Sequence, residues 1–287
     1  MFVNSKIMTE ELEKKVQSAI KLIQSASKIA AKNNCPEIEI AYSGGKDSDV
    51  ILELTRMAGV PYRAIYKNTT IDPPYTAKHC RDNGVEIRMP KRSFYEMIKA
   101  KFWPTRFARF CCSELKEYKI SDYVVLGIRS AESSKRKQRY TEPELCRVYR
   151  KGEKVRQYFP ILNWTNQDII NFANERKIKF HPLYYDENGQ FHPERRLGCI
   201  ACPLASKKKR LAKFKQYPNF VKLYIRGGQF YQNTHPNKNL QISIYEHFVR
   251  QVFCDSIDEF EYRFGKNLFG DAIDCKQFLE DYFQIKL

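Results

Sequence analysis

A chain of 287 residues is long enough to bury a substantial core, either as one large α/β domain with an appendage or as two modest domains. Its formal net charge of +17 attracts polyanions, and its 14% aromatic content supplies stacking surfaces for unpaired bases, so nucleic acid is an expected partner. A chain of this size does not require disulfides for stability, and nine cysteines, an odd number scattered along it, suit a reducing compartment where thiols bind metal, react or pack. No stretch is apolar and uncharged enough to span a bilayer, and the opening Met1–Lys6 lacks the apolar run of a secretion signal; a cytoplasmic protein with no membrane partner is expected.

In chain order, apolar residues at helical spacing (Leu12, Val16, Ile20, Ile23, Ile29) predict an amphipathic helix from about Thr9 to Asn33. Glu37–Tyr42 alternates like a strand and runs into Ser43-Gly44-Gly45-Lys46-Asp47-Ser48, after which Val50–Leu54 reads as a helix. Tyr62–Tyr66, Val85–Met89 and Tyr123–Ile128 read as further strands with helical segments between them. This alternation predicts an α/β fold with a mainly parallel, five-stranded sheet flanked by helices. From about Ala205 the chain is basic and aromatic and reads as helices, with Pro218, Gly227-Gly228 and Pro236 as breaks. The expected organisation is an N-terminal helix (1–36), a nucleotide-binding α/β domain (37–204) and a helical C-terminal region (205–287).

The glycine loop carries the clearest chemistry. Ser43-Gly44-Gly45 lets backbone approach an anion without Cβ obstruction, and the following helix turns its free N–H groups and positive dipole end toward it. Lys46 would neutralise phosphate charge, Ser43 and Ser48 would donate hydroxyls, and Asp47 would hold a magnesium ion or a water of its shell. An ordinary β–α turn capped by Asp47 or Ser48 would use the same residue types. The spacing differs from that of the phosphate loop with four residues between its glycines. It looks instead like the pyrophosphate loop of the N-type ATP pyrophosphatases, which cleave ATP between the α- and β-phosphates.

Two thiol pairs, Cys111-Cys112 and Cys199-Ile200-Ala201-Cys202, would make a four-thiolate site if the fold joins them, suited to a 4Fe-4S cluster or to zinc. The other cysteines (Cys35, Cys80, Cys146, Cys254, Cys275) read as packing residues, with Cys146 in a charged loop. Arg129 follows a predicted strand, at the sheet edge where open α/β folds bind ligands, and Glu132 and Arg136 follow it in a polar loop. Trp164 reads as core.

In order, Arg109–Lys116, Gly127–Arg136, Pro160–Thr165, Pro182–Tyr184 and Arg196–Pro203 resemble the phosphoadenosine phosphosulfate reductase family, over about residues 37–204. In its iron–sulfur members a Cys-Cys pair and a later Cys-x-x-Cys ligate a 4Fe-4S cluster, which maps onto Cys111, Cys112, Cys199 and Cys202. The resemblance also implies that Arg129 and Arg136 contact substrate phosphates or sulfate. Sulfonucleotide reductases, however, carry a C-terminal Glu-Cys-Gly-(Ile or Leu)-His nucleophile. This tail has Asp271-Ala272-Ile273-Asp274-Cys275-Lys276 and Phe253-Cys254-Asp255 instead, and Asn68–Pro74 replaces the reductases' Asp-Thr-Gly segment.

A complete loop without the reductase thiol points to the branch that adenylates a substrate, as the DNA phosphorothioation proteins and tRNA thiolases do. The expectation is cleavage of ATP to AMP and pyrophosphate, with magnesium, for sulfur transfer to DNA or tRNA and with a sulfur-donor or modification-complex protein as partner. Reduction of adenylyl or phosphoadenylyl sulfate is the alternative. A non-catalytic nucleic-acid-binding protein, suggested by Lys207-Lys208-Lys209-Arg210, is a third reading.

Overall fold

The computed structural model describes residues 9–149, 152–235, 242–265 and 272–287. The Met1–Lys6 opening, Pro236 and Asp271 therefore lie outside the described residues. The described residues divide into two compact units: those within 9–68, 74–89 and 115–197 form the first, and those within 69–73, 90–114 and 198–287 the second.

The first unit begins with α1 (Glu10–Lys32), which Thr9 caps by accepting from the Leu12 N–H, with three acidic residues in its positive first turn. Leu12, Val16, Ala19, Ile23, Ala26 and Ala30 form its buried stripe. β1 (Ile38–Tyr42) follows, then α2 (Lys46–Ala58), β2 (Tyr62–Lys67), α3 (Thr76–Asp82) and β3 (Glu86–Arg88). The short helix α4 (Phe94–Lys101) and α5 (Phe110–Leu115) precede β4 (Tyr123–Val125), which α6 (Ser134–Arg139) follows. The hairpin β5 (Glu144–Val148) and β6 (Lys154–Tyr158), then α7 (Asn166–Glu175), complete the unit.

The sheet has six strands in the order β3-β2-β1-β4-β6-β5, not the five expected. The first five in that order are mutually parallel, and β5 pairs antiparallel with β6 at the edge, Cys146 opposite Arg156. Cys146 is thus a strand residue rather than a loop residue. The charged sequence Glu144-Leu145-Cys146-Arg147-Val148 conceals the strand because an exposed edge strand buries neither face. Ile38, Ile40 and Tyr42 point into the same core cluster as α1 and α2, which also takes in Trp164 as expected. Chain order reverses between β1 and β4, so the loops leaving their carboxyl ends flank a topological switch point, the usual ligand crevice of such sheets.

The second unit is helical: α4 and most of α5 join α8 (Lys207–Gln216), α9 (Asn219–Thr234), α10 (Ile244–Phe253), α11 (Ile257–Phe264) and α12 (Cys275–Phe283). Its core is aromatic, with Phe94 5.6 Å from Tyr224 and Trp103 5.6 Å from Phe248, ring centre to ring centre. Pro218 does divide α8 from α9, but Gly227-Gly228 breaks nothing. A Cβ at Gly227 would sit 2.5 Å from Ile98 Cδ1, and one at Gly228 2.7 Å from Trp103 Cζ2, so this glycine pair lets α4 and Trp103 pack directly against an unbroken helix. Among the described residues, no helix is long and apolar enough to cross a membrane.

Candidate nucleotide-binding cleft and cysteine cluster

The loop from β1 into α2 turns at Gly44, whose φ of +75° is the left-handed conformation glycine adopts without strain. A Cβ there would also meet Thr76 Cγ2 at 3.0 Å and Leu197 Cδ2 at 3.1 Å. Gly45 then occupies the N-cap of α2 without a side chain of its own to cap with. The Ser48 hydroxyl braces the turn by donating to Gly45 O at 2.7 Å. Ser43 Oγ accepts from Gly45 N–H at 3.3 Å, and the Tyr184 hydroxyl accepts from Lys46 N–H at 3.2 Å. Burial raises the Tyr184 pKa to about 12, so it stays a neutral phenol.

These residues line a cleft of about 250 Å³ into which Lys46, Arg136 and Arg196 bring positive charge. Lys46 is only 3% exposed, with Nζ 3.5 Å from Asp47 Oδ2. Its pKa is lowered, first by burial; Asp47 pulls it back up, while Arg129 and Arg196 lower it further. Burial, then Arg196, likewise lowers the pKa of Arg136, which pairs with Glu132. Arg196 donates to Glu132 O at 2.8 Å. Crowded, partly desolvated cations facing one small cleft gain most from a ligand with several negative oxygens.

Arg129 stands beneath this cleft, 1% exposed. Its Nε donates to Asp47 Oδ1 at 2.6 Å, Nη1 to Trp164 O at 3.3 Å and Nη2 to Asn166 Oδ1 at 3.0 Å. It thereby holds the Asp47 carboxylate with Oδ2 toward Lys46. The turn after β4 passes so close to α2 that a Cβ on Gly127 would lie 2.8 Å from both the carbonyl carbon and oxygen of Asp47. Gly127→Ala is therefore expected to cost about 1–3 kcal/mol and to displace Asp47, seen as a lower melting temperature together with weaker nucleotide binding.

Of the residues singled out in the sequence, Ser43, Gly45, Lys46, Asp47, Ser48 and Arg136 line the cleft, while Gly44 shapes its backbone and Arg129 supports it from below. Sequence reasoning assigned no role to Tyr184 or Arg196, although both lie in segments that carry the family resemblance. It also missed a buried network on the far side of α2, where Asp49 accepts from the Tyr42 hydroxyl and pairs with His79 Nε2 at 3.0 Å. Asp49 is the residue directly after the loop, but nothing local reveals a partner thirty residues away.

All four cysteines belong to the second unit. Cys111 and Cys112 open α5; the turn Cys199–Cys202 is tethered by Ile200 N–H to Ile71 O at 2.9 Å. Cys199 Sγ lies 3.6 Å from Asp72 Oδ1 and 3.7 Å from Thr69 Oγ1. The Cys111 thiol is pushed up by its hydrogen bond with Cys112, then by burial and by the charges of Cys112 and Cys199. Tyr224, raised chiefly by burial, also feels Cys111, Cys199 and Cys202. Among the described residues, no three His, Cys, Asp or Glu side chains are placed to hold one metal ion. The donor set nonetheless suits a thiolate-held group, because these neighbouring thiols can ionise together only if a cationic centre offsets their mutual repulsion.

The profile of the phosphoadenosine phosphosulfate reductase domain matches residues 37–205. An uncharacterized 37.8 kDa protein of Escherichia phage 186 is 31% identical over 138 residues, 44% of this chain and 38% of that protein. Sulfate adenylyltransferase subunit 2 of Shewanella pealeana is 27% identical over 210 residues, 61% of this chain and 68% of the relative. The crystal structure of phosphoadenylyl-sulfate reductase from Candida auris, in complex with phosphate, aligns with a TM-score of 0.46 at 15% identity, over 68% of this chain and 97% of that one.

Proposed function

Because the chain belongs to the phosphoadenosine phosphosulfate reductase domain family, we propose that it is an ATP pyrophosphatase that adenylates a substrate for sulfur transfer, with nucleic acid as the acceptor. The observation that carries this reading is the loop Ser43–Ser48 opening, at the switch point of the sheet, into a small cleft faced by Lys46, Arg136 and Arg196.

In this reading the β- and γ-phosphates of ATP lie against the loop, and their oxygens replace the long bonds from Gly45 N–H to Ser43 and from Lys46 N–H to Tyr184 with stronger charge-assisted ones. A substrate oxygen attacks the α-phosphorus, the bond to the bridging oxygen breaks, and pyrophosphate leaves with its growing charge stabilised by Lys46, Arg136 and Arg196. A sulfur nucleophile from a donor protein then attacks the atom bearing the adenylated oxygen, and AMP departs with that oxygen. Asp47 Oδ2, only loosely engaged at 3.5 Å by Lys46, is the carboxylate oxygen that would hold magnesium, which favours one or two carboxylates plus phosphate oxygens. Magnesium would there neutralise phosphate charge. Arg129 acts through Asp47 as a positioning residue.

Cys111, Cys112, Cys199 and Cys202 would hold a 4Fe-4S cluster, which would supply a site to bind or relay sulfur or a brace for the second unit. Protein purified without oxygen is expected to show a broad visible absorption and equal amounts of iron and acid-labile sulfide, both lost in Cys111→Ser and Cys202→Ser. A colourless protein with stoichiometric zinc would refute the cluster. The reductase reading is weakened by its two candidate nucleophiles: Cys254 and Cys275 are buried, and burial raises the pKa of both, that of Cys275 to about 11. Pyrophosphate release from ATP, screened against tRNA, DNA and sulfonucleotides, tests the proposal. No release with any of them sinks it, while sulfite formation from a sulfonucleotide with a thiol donor would restore the reductase.

A further inference from the structure

Among the described residues of the second unit, one large apolar side chain stands entirely in water. Phe107 is fully exposed, at 101% of its reference area. Its exposure does not come from a loose end of chain. Thr105 N–H donates to Ala108 O at 3.3 Å, and Ala108 N–H donates to Thr105 Oγ1 at 3.0 Å, so Thr105–Ala108 closes into a tight turn with Arg106 and Phe107 at its tip. The turn is anchored on both sides. Before it, Trp103 is buried and donates from Nε1 to Tyr224 O at 2.9 Å; after it, α5 begins, and Cys112 N–H donates to Arg109 O at 3.1 Å.

Arg106 and Arg109, on either side of Phe107, are exposed, and among the described residues no acidic side chain pairs with either. A further guanidinium, the half-buried Arg210 of α8, lies near enough to feel the charge of Arg106. A rigid ring presented edge-free to solvent, with cations on both flanks and no apolar neighbour to bury it, matches what an unpaired base and its two adjoining phosphates require.

We propose that the Thr105–Ala108 turn is a stacking platform for an unpaired base of a nucleic-acid strand, with Phe107 as the stacking ring and Arg106 and Arg109 on the flanking phosphates. The inference deepens the acceptor proposed above and rests on it. It limits the acceptor to single-stranded, looped or extruded nucleotides, because a stacked duplex leaves no base face open to the ring. It also brings the captured nucleotide to the segment that leads directly into Cys111 and Cys112.

The test is fluorescence anisotropy on the full chain, purified without oxygen, with a labelled oligothymidylate and a labelled duplex of mixed sequence, without ATP and at several salt concentrations. The expected result is tighter binding of the single strand by the unaltered protein. Phe107→Ala should weaken single-strand binding by about tenfold or more and leave the duplex unchanged, whereas Phe107→Trp retains it. Arg106→Ala and Arg109→Ala should weaken both ligands and each reduce the salt slope by about one. A fully exposed side chain leaves the melting temperature unaltered on substitution, which separates lost stacking from lost fold. If the unaltered protein binds neither ligand at low salt, the nucleic-acid acceptor itself fails. If it binds but Phe107→Ala affects single strand and duplex alike, or not at all, the platform alone fails. Phe107-dependent association with vesicles of anionic phospholipid, in place of the oligonucleotide, also overturns it.

Discussion

Replacing Lys46 by Met is expected to slow pyrophosphate release by about 10²- to 10³-fold while the protein melts at the same temperature or higher. The two halves of this result have separate causes. The ammonium is one of three cations facing the cleft and the one that leads the helix beneath the loop, so its loss removes charge stabilisation where the departing pyrophosphate would sit. In the unliganded protein the same ammonium is 3% exposed and its pKa lies below the ordinary 10.5, with burial the largest cause. A lysine whose folded pKa is depressed destabilises the fold while it is charged. The penalty is present at neutral pH and fades as pH rises from the folded pKa through the unfolded value of 10.5. Met fills a similar volume without that penalty, and Asp47 keeps its stronger partner Arg129, at 2.6 Å against 3.5 Å for Lys46. Thermal melts of both proteins from neutral to alkaline pH should therefore converge as pH rises. A melting temperature that falls sharply at neutral pH would show that Lys46 is structural.

Arg129→Met is expected to do the opposite, lowering stability by about 3 kcal/mol and the melting temperature by roughly 6–12 °C. The guanidinium joins Asp47 to Trp164 O and Asn166 Oδ1, and Met would leave the carboxylate, a buried carbonyl and an amide without those donors. Arg129→Lys should recover only part of the loss, because a single ammonium cannot serve three acceptors arranged around a planar fork. Pyrophosphate release should fall as well, since Asp47 loses the bond that orients it. If Arg129→Met melts like the unaltered protein yet loses activity, the residue touches substrate directly, as the family resemblance implies, and the supporting role is wrong.

Much of the cleft could be read from adjacent residues. Glu37–Tyr42, the glycine pair and Val50–Leu54 are local signals of strand, turn and helix, and they reappear as β1, the Gly44 turn and α2. The long amphipathic helix was equally plain from its apolar spacing, while its cap at Thr9 came from the structure. What escaped has a common physical origin. The edge strand β5 exposes most of its side chains and so carries no hydrophobic alternation. The glycines of α9 look like a helix break because their purpose, close approach by Ile98 and Trp103, lies on other segments.

By itself the sequence determined the strand, glycine turn and helix that carry Ser43–Ser48, because each depends on residues that are neighbours in the chain. Only the tertiary structure decided that β4 pairs with β1, which carries Arg129 to Asp47 across 82 residues and brings Arg136, Tyr184 and Arg196 around the loop. Pairing in a parallel sheet is non-local: which strands become neighbours is decided by how both faces of the sheet are covered, and no single segment records that choice.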